Sequence, residues 1–216
     1  MKLQHLDCTT DARREQICKE YDVHADDCIV LFGGRTVRSD ANNRIIRDKY
    51  YQFSCKDKQT GKEMFVITCG SGAAHHFSSL INEPLPHSMN PFIQDGPEKK
   101  SQHIEVDTGT EWNPLRRQFY YAVQLFIMRY QDNLTPGTKI FNILNSITDE
   151  KFISCKPQRF HFESFSEVVI GFHTNMSQVI SYLRRFGPLH KYDFSNLAKE
   201  HDLLCPDFPN VFLEDV

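Results

Sequence analysis

The chain lacks several features that would assign it to a class at once. Its 216 residues contain no apolar run of 18 residues, which a membrane-spanning helix needs. Residues 1–7 lack the apolar core of a secretory signal. The formal net charge is only −3, so no overall attraction to nucleic acid or to an anionic membrane is expected. We therefore expect a soluble, cytoplasmic protein that does not enter a membrane.

Close-spaced cysteines are also missing. The seven cysteines are scattered and odd in number, and no C-x-x-C pair occurs. A secreted disulfide framework usually has an even, clustered set, so we expect reduced thiols that pack as small apolar side chains. Aromatic residues are plentiful instead, with 17 Phe and eight Tyr against one Trp. This composition predicts a core rich in aromatic contacts.

The first half of the chain mixes helix and strand signals. Thr9-Thr10-Asp11 supplies helix N-cap candidates ahead of a short amphipathic segment, residues 12–21. Three apolar runs predict strands, a Gly-containing loop predicts a hairpin, and a segment after the last run predicts a helix. These are, in order, residues 28–32, 50–55 and 64–68, the loop 57–62, and the helix 73–81.

The second half is mostly helical in pattern. Asn113-Pro114 places a proline at a natural first helical position. Apolar spacing then predicts a long helix over residues 115–134 and shorter ones over 140–147, 176–186 and 195–204. Short apolar runs predict strands at 152–155 and 167–172, and His161-Phe162-Glu163 resembles an alternating strand face.

Four prolines between residues 84 and 97 mark the best candidate boundary between two regions. We therefore predict an α+β fold. Residues 1–97 would form a small, mostly antiparallel sheet with flanking helices, and residues 98–216 a helix-rich region. The two regions can also form one compact domain.

The strand-to-helix corner at Cys69 is the most informative local feature. A buried strand runs into Gly70-Ser71-Gly72, and His75 and His76 follow on the helix. Helix N-terminal amides depress a thiol pKa, so Cys69 is a candidate nucleophile with His75 or His76 as the general base. The same amides, on Gly70, Ser71 and Gly72, are a candidate phosphate or carboxylate cradle.

Two further interpretations of this corner remain open. Cys55, Cys69 and either His75 or His76 supply three ligands of the types that zinc prefers, with His87 as a candidate fourth ligand. Alternatively the corner is purely structural. In that case Phe65, Ile67, Phe77 and Leu80 are buried together.

Two charged segments carry other hypotheses. Four arginines precede a strand rich in aromatic residues, a combination that binds phosphates and stacks bases, although an ordinary polar loop explains it too. They are Arg35, Arg38, Arg44 and Arg47. Three carboxylates around a Thr-Gly-Thr turn can bind magnesium or act as an acid–base pair, although a solvated loop explains them too. They are Glu105, Asp107 and Glu111.

No complete catalytic constellation emerges from these residues. The leading prediction is therefore a binding or interaction protein that acts through a protein or nucleic-acid partner. The first alternative is an enzyme whose site is the Cys69–His76 corner. The second is a zinc-stabilised module that uses Cys55, Cys69 and either His75 or His76, and the cofactor is otherwise unknown.

Overall fold

The computed structural model describes residues 4–86, 88–93, 111–134 and 138–213. The chain forms two compact units: unit 1 is Met1–Asn90 with Leu134–Gly137, and unit 2 is Pro91–Asn133 with Thr138–Val216. The predicted fold class is confirmed, because a small, mostly antiparallel sheet with flanking helices precedes a helix-rich part. The predicted boundary at residues 97–98 lies outside the described residues and stays a prediction.

Unit 1 is built on a four-stranded sheet. Its strands are β1 (Gln4–His5), β2 (Tyr21–Val30), β5 (Lys49–Asp57) and β6 (Glu63–Cys69), and a separate two-stranded ribbon holds β3 (Val37–Arg38) and β4 (Ile45–Ile46). The sheet order is β1-β6-β5-β2, with β1 parallel to β6 and the other pairs antiparallel. The predicted β5–β6 hairpin is confirmed, with the Asp57 N–H donating to the Lys62 carbonyl at 2.9 Å.

Two helices, α1 (Asp11–Glu20) and α2 (Ser71–Ile81), bury their apolar residues against one face of this sheet. Helix α1 begins where predicted, because the Thr10 hydroxyl accepts the Arg13 N–H at 3.1 Å. The Phe77 ring of α2 packs on the Phe53 ring of β5, with 5.2 Å between the centroids. This contact fixes α2 over the sheet.

The other face of the sheet carries buried polar side chains. The β2–β5 register shifts between Ala25 and Asp27, so Asp26 is the extra residue of a β-bulge. Asp26 is only 9% exposed, and burial raises the pKa of its carboxyl to about 7. The sequence prediction started this strand at Cys28 and missed the bulge.

Unit 2 contains five α-helices among its described residues. They are α3 (Pro114–Tyr130), α4 (Lys139–Thr148), α5 (Arg159–Gly171), α6 (Met176–Leu183) and α7 (Ser195–Leu204). Helix α3 starts where predicted, since the Asn113 side chain accepts the Leu115 N–H at 3.0 Å. Phe119 lies at the centre of an aromatic core, 5.1 Å from the Phe162 ring and 5.4 Å from Phe165.

The strand predictions in the second half are wrong. Residues 150–152 form a 3-10 turn, and most of residues 167–172 belongs to helix α5, as do His161 to Glu163. Phe162, Phe165 and Val169 follow each other at three- and four-residue spacing and are buried. The helical period of these large side chains outweighs the short apolar runs.

Candidate functional site

The strand-to-helix corner has the predicted backbone but not the predicted thiol chemistry. Strand β6 ends at Cys69, Gly70 is the N-cap of α2, and the Cys69 side chain is fully buried. Burial raises the pKa of the Cys69 thiol, and the nearby Cys8 and Asp40 raise it further, whereas Arg14 lowers it. The expectation of a depressed thiol pKa is wrong, because desolvation outweighs the helix amides.

The two histidines of the corner have different environments. His75 is exposed. His76 is half-buried, and its Nδ1 accepts a hydrogen bond from Arg14 Nε at 2.9 Å. Because Arg14 lies on α1 and His76 on α2, this bond joins the two helices. Arg14 also donates to the Cys8 carbonyl at 2.7 Å. Within the described residues no hydrogen bond links either imidazole to Cys69, so the structure does not assemble the predicted nucleophile–base pair.

The predicted zinc ligands are not brought together. In the β5–β6 register Cys55 faces Phe65, while Cys69 faces Tyr51, so the thiols are four residues apart, about 13 Å along the strands. Both thiols are buried, whereas His75 is exposed. Among the described residues no three His, Cys, Asp or Glu side chains form a metal-binding group. His87, Glu105 and Asp107 lie outside the described residues.

The candidate anion cradle is open to solvent. Ser71 and Gly72 are exposed, and Gly70 provides no side-chain cap for α2. The backbone amides of Ser71 and Gly72 stand in the first turn of the helix and are the donors that the cradle offers. The Ile46 side chain comes within 3.8 Å of the point where a Cβ on Gly70 would lie, so strand β4 is adjacent to the cradle.

The segment that contains β3 and β4, residues 35–47, is called the arginine hairpin below. It is tied to the end of β6 through one residue, Asp40. The Thr68 N–H donates to the Asp40 carboxylate at 2.6 Å, and the Asp40 N–H donates to the Thr68 carbonyl at 2.8 Å. Asn43 closes the turn with a φ of 56°, a left-handed conformation that asparagine tolerates. The hairpin is therefore anchored rather than free.

The four predicted arginines have different environments. Arg35 lies over the Phe32 ring, 4.7 Å from its centroid. Arg38 is exposed and donates to the Asn43 carbonyl and side-chain oxygen at 3.2 and 3.0 Å. Arg44 and Arg47 are exposed, and neither guanidinium forms a hydrogen bond or ion pair with a described residue. These two are the most accessible cations of the hairpin.

A cleft of about 660 Å³ opens beside the arginine hairpin. Its lining combines carboxylates, hydroxyls and one guanidinium, and consists of Asp7, Thr9, Val37, Arg38, Ser39, Asp40, Asn43 and Thr68. Sequence reasoning identified only Arg38 of this set. The remaining residues come from three separated segments, so no local spacing signals the cleft.

Unit 2 contains a Ser–His pair whose protonation argues against catalysis. Ser146 Oγ lies 3.0 Å from His161 Nε2, and the Gln158 N–H donates to His161 Nδ1 at 2.9 Å. Because Nδ1 accepts, the neutral imidazole carries its proton on Nε2 and donates it to Ser146. Burial and the Arg116 charge lower the pKa of His161 to about 4. The pair is a helix-to-helix hydrogen bond rather than a nucleophile and base.

Comparisons with protein-family models, with curated proteins and with solved structures find no match for this chain. In the described part of the chain, no helix has the length and apolar character to cross a membrane. The function of the chain is therefore inferred from the geometry of the corner and the arginine hairpin.

Proposed function

We propose that this is a soluble, cytoplasmic binding protein that engages a nucleic acid through the arginine hairpin. The observation that carries the proposal is the exposure of Arg44 and Arg47 on an anchored ribbon beside the α2 N-terminus. The seven cysteines are all free, which supports a reducing compartment.

The charge balance of the hairpin favours a phosphate-bearing partner. Residues 35–47 contain four arginines and a single carboxylate, Asp40. That carboxylate accepts the Thr68 N–H, so part of its hydrogen-bonding capacity is used within the fold. A guanidinium offers a planar fork of donors that matches phosphate oxygens, and each phosphate contact releases condensed counterions.

The neighbouring corner strengthens the same preference. Strand β4 lies against Gly70, so the amides of Ser71 and Gly72 open close to the ribbon that carries the arginines. An 11-residue helix concentrates partial positive charge at its N-terminus. Arginine side chains and helix amides together suit a backbone phosphate better than either does alone.

A binding titration with two charge-matched double variants tests the proposal. Fluorescence anisotropy would follow labelled single-stranded RNA, single-stranded DNA and duplex DNA of about 20 nucleotides, at several salt concentrations. We expect Arg44→Ala/Arg47→Ala to weaken binding at least tenfold, at about 1.4 kcal/mol, and to reduce the salt slope by about 2.

The control is Lys19→Ala/Lys62→Ala, which removes the same charge from exposed positions elsewhere in unit 1. This control should keep most of the affinity. An equal loss in both double variants would assign binding to net charge rather than to the hairpin. A wild-type protein that binds none of the three nucleic acids at low salt would overturn the proposal.

A further inference from the structure

We propose a second, independent binding site: a divalent cation held by side-chain oxygens at the bulge of β2, on the sheet face opposite α1 and α2. The candidate ligands are Asp26, Asp27, Gln52 and Ser54, called the acidic bulge here. This site shares no residue with the arginine hairpin, and it does not depend on nucleic-acid binding.

The strand register places these four side chains together. Gln52 and Ser54 alternate with Phe53, whose ring lies in the core under α2, so both occupy the opposite face. Asp27 is the register partner of Gln52, and facing partners have Cβ atoms about 5 Å apart. The Ser54 hydroxyl donates to Asp26 Oδ1 at 2.9 Å, which puts the bulge residue on the same face.

Two buried acceptor oxygens of this cluster lack donors. Asp26 is 9% exposed and Gln52 8% exposed, and neither Asp26 Oδ2 nor Gln52 Oε1 accepts a hydrogen bond from any described residue. Buried polar atoms normally have partners, because an unpaired acceptor retains its desolvation penalty. When Asp26 is ionised, both atoms are acceptors, so they require a partner that donates a hydrogen bond or carries positive charge.

A divalent cation satisfies this requirement best. Carboxylate, amide and hydroxyl oxygens are the ligands that Mg²⁺, Ca²⁺ and Mn²⁺ prefer, and none of the four side chains offers the nitrogen or sulfur ligands of zinc. The charged groups around Asp26 are Asp27, Lys56 and Glu63. With Asp26 itself, three carboxylates therefore stand against one ammonium group, that of Lys56, and the local field has an excess of negative charge.

The test is direct titration of the full chain with each cation. Purified protein is stripped with a chelator and then titrated separately with Mg²⁺, Ca²⁺ and Mn²⁺, by calorimetry and by thermal denaturation, at about pH 8 where carboxylates are ionised. We expect one of these ions to bind with a stoichiometry of one and to raise the melting temperature.

Three variants make the result specific. Asp26→Asn, nearly the same shape, should weaken cation binding at least tenfold, and Gln52→Met should weaken it independently if the first variant folds poorly. Asp22→Asn should bind like the wild type, because Asp22 is an exposed carboxylate of the same strand that pairs with His24. Absence of binding for all three ions, or equal binding by Asp26→Asn and the wild type, would overturn the proposal.

Discussion

The two units bury ionisable groups in opposite ways. In unit 2 the buried Arg116 donates to the carbonyls of Cys155, Ser146 and Ile147 at 2.9–3.0 Å, and both nitrogens of His161 are hydrogen-bonded. In unit 1 one oxygen of the buried Asp26 accepts no hydrogen bond from any described residue. Buried charge is expensive unless it is paired. This contrast supports the proposed binding sites in unit 1, since Arg116 and His161 of unit 2 are hydrogen-bonded within the fold.

Unpaired polar atoms also occur in unit 2, but they belong to neutral groups and do not weaken the contrast with Asp26. Among its described residues, unit 2 also contains buried atoms without a hydrogen-bond partner, such as Gln118 Oε1 and Trp112 Nε1. They belong to an amide and to an indole, and both groups are uncharged at neutral pH. Burying a neutral polar atom costs far less than burying a carboxylate. The difference between the units is therefore one of charge, not of the number of unpaired atoms.

The largest expected effect tests whether unit 1 has a core of its own. Phe77 is fully buried against Phe53, so Phe77→Ala should lower the free energy of unfolding by about 3–5 kcal/mol. Leu80→Ala is the matched control on the same helix. Leu80 was predicted to share this core, but it is exposed at 36%, so its loss should matter little. Urea unfolding of both variants measures the difference, and equal effects would contradict this core.

The next effect concerns the acidic bulge with divalent cations removed by a chelator. Burial raises the pKa of Asp26 from 3.8 to about 7, so the folded state holds this proton more tightly than the unfolded state. The contribution of this proton to the free energy of unfolding is complete below about pH 4, and it is lost as the pH rises to about 7. Asp26→Asn should therefore be more stable than the wild type by roughly 3–4 kcal/mol at about pH 8.

At about pH 4 the same substitution should be nearly neutral, because the folded wild-type carboxyl is then protonated and no buried charge remains to be removed. Urea unfolding at the two pH values gives the comparison. A gain of equal size at both would show that the buried charge is not the cause.

These two predictions also show what sequence reasoning can and cannot reach. The position of Phe77 followed from local rules, since an apolar run and a glycine turn define the corner, just as Thr10 and Asn113 define helix starts. Two adjacent aspartates, by contrast, are typical of a turn. Only the pairing of β2 with β5 makes Asp26 a bulge residue, and strand pairing is not encoded in local spacing.

The same limit explains the errors at the candidate site. Cys55 and Cys69 lie on neighbouring strands, as expected, but their distance depends on the register, which places them four residues apart. The thiol pKa of Cys69 depends on burial, which local helix-dipole reasoning does not include. The cleft beside the arginine hairpin joins residues 7–9, 37–43 and 68, so it exists only in the folded chain.

A smaller effect of opposite sign is expected in unit 2. Burial lowers the pKa of His161 to about 4, so the unfolded state binds this proton more tightly. The contribution of neutral His161 to the free energy of unfolding is complete above about pH 6.5. As the pH falls to about 4, roughly 2–3 kcal/mol of it is lost. His161→Gln keeps one donor and one acceptor without titrating, so its unfolding free energy should fall less over this range.

His201 also has a lowered pKa, so the His161→Gln variant should retain part of the acid sensitivity. Urea unfolding curves at several values between about pH 4 and pH 7 measure the difference. The control is His75→Gln, which removes an exposed imidazole and should leave the pH profile of the wild type unchanged. Identical pH profiles for His161→Gln and the wild type would remove the electrostatic contrast between the two units.

The smallest perturbation needs no substitution and tests the corner directly. Cys155 is exposed, whereas Cys69 is fully buried with a raised thiol pKa. Because the thiolate is the reactive species, an alkylating reagent near neutral pH should label Cys155 first, and Cys69 only as fast as unit 1 opens. Peptide mass spectrometry over time measures both rates. If Cys69 were labelled as fast as Cys155, its thiolate would have to be accessible to the reagent. The packed corner does not provide such a thiolate, so this result would restore the nucleophile hypothesis.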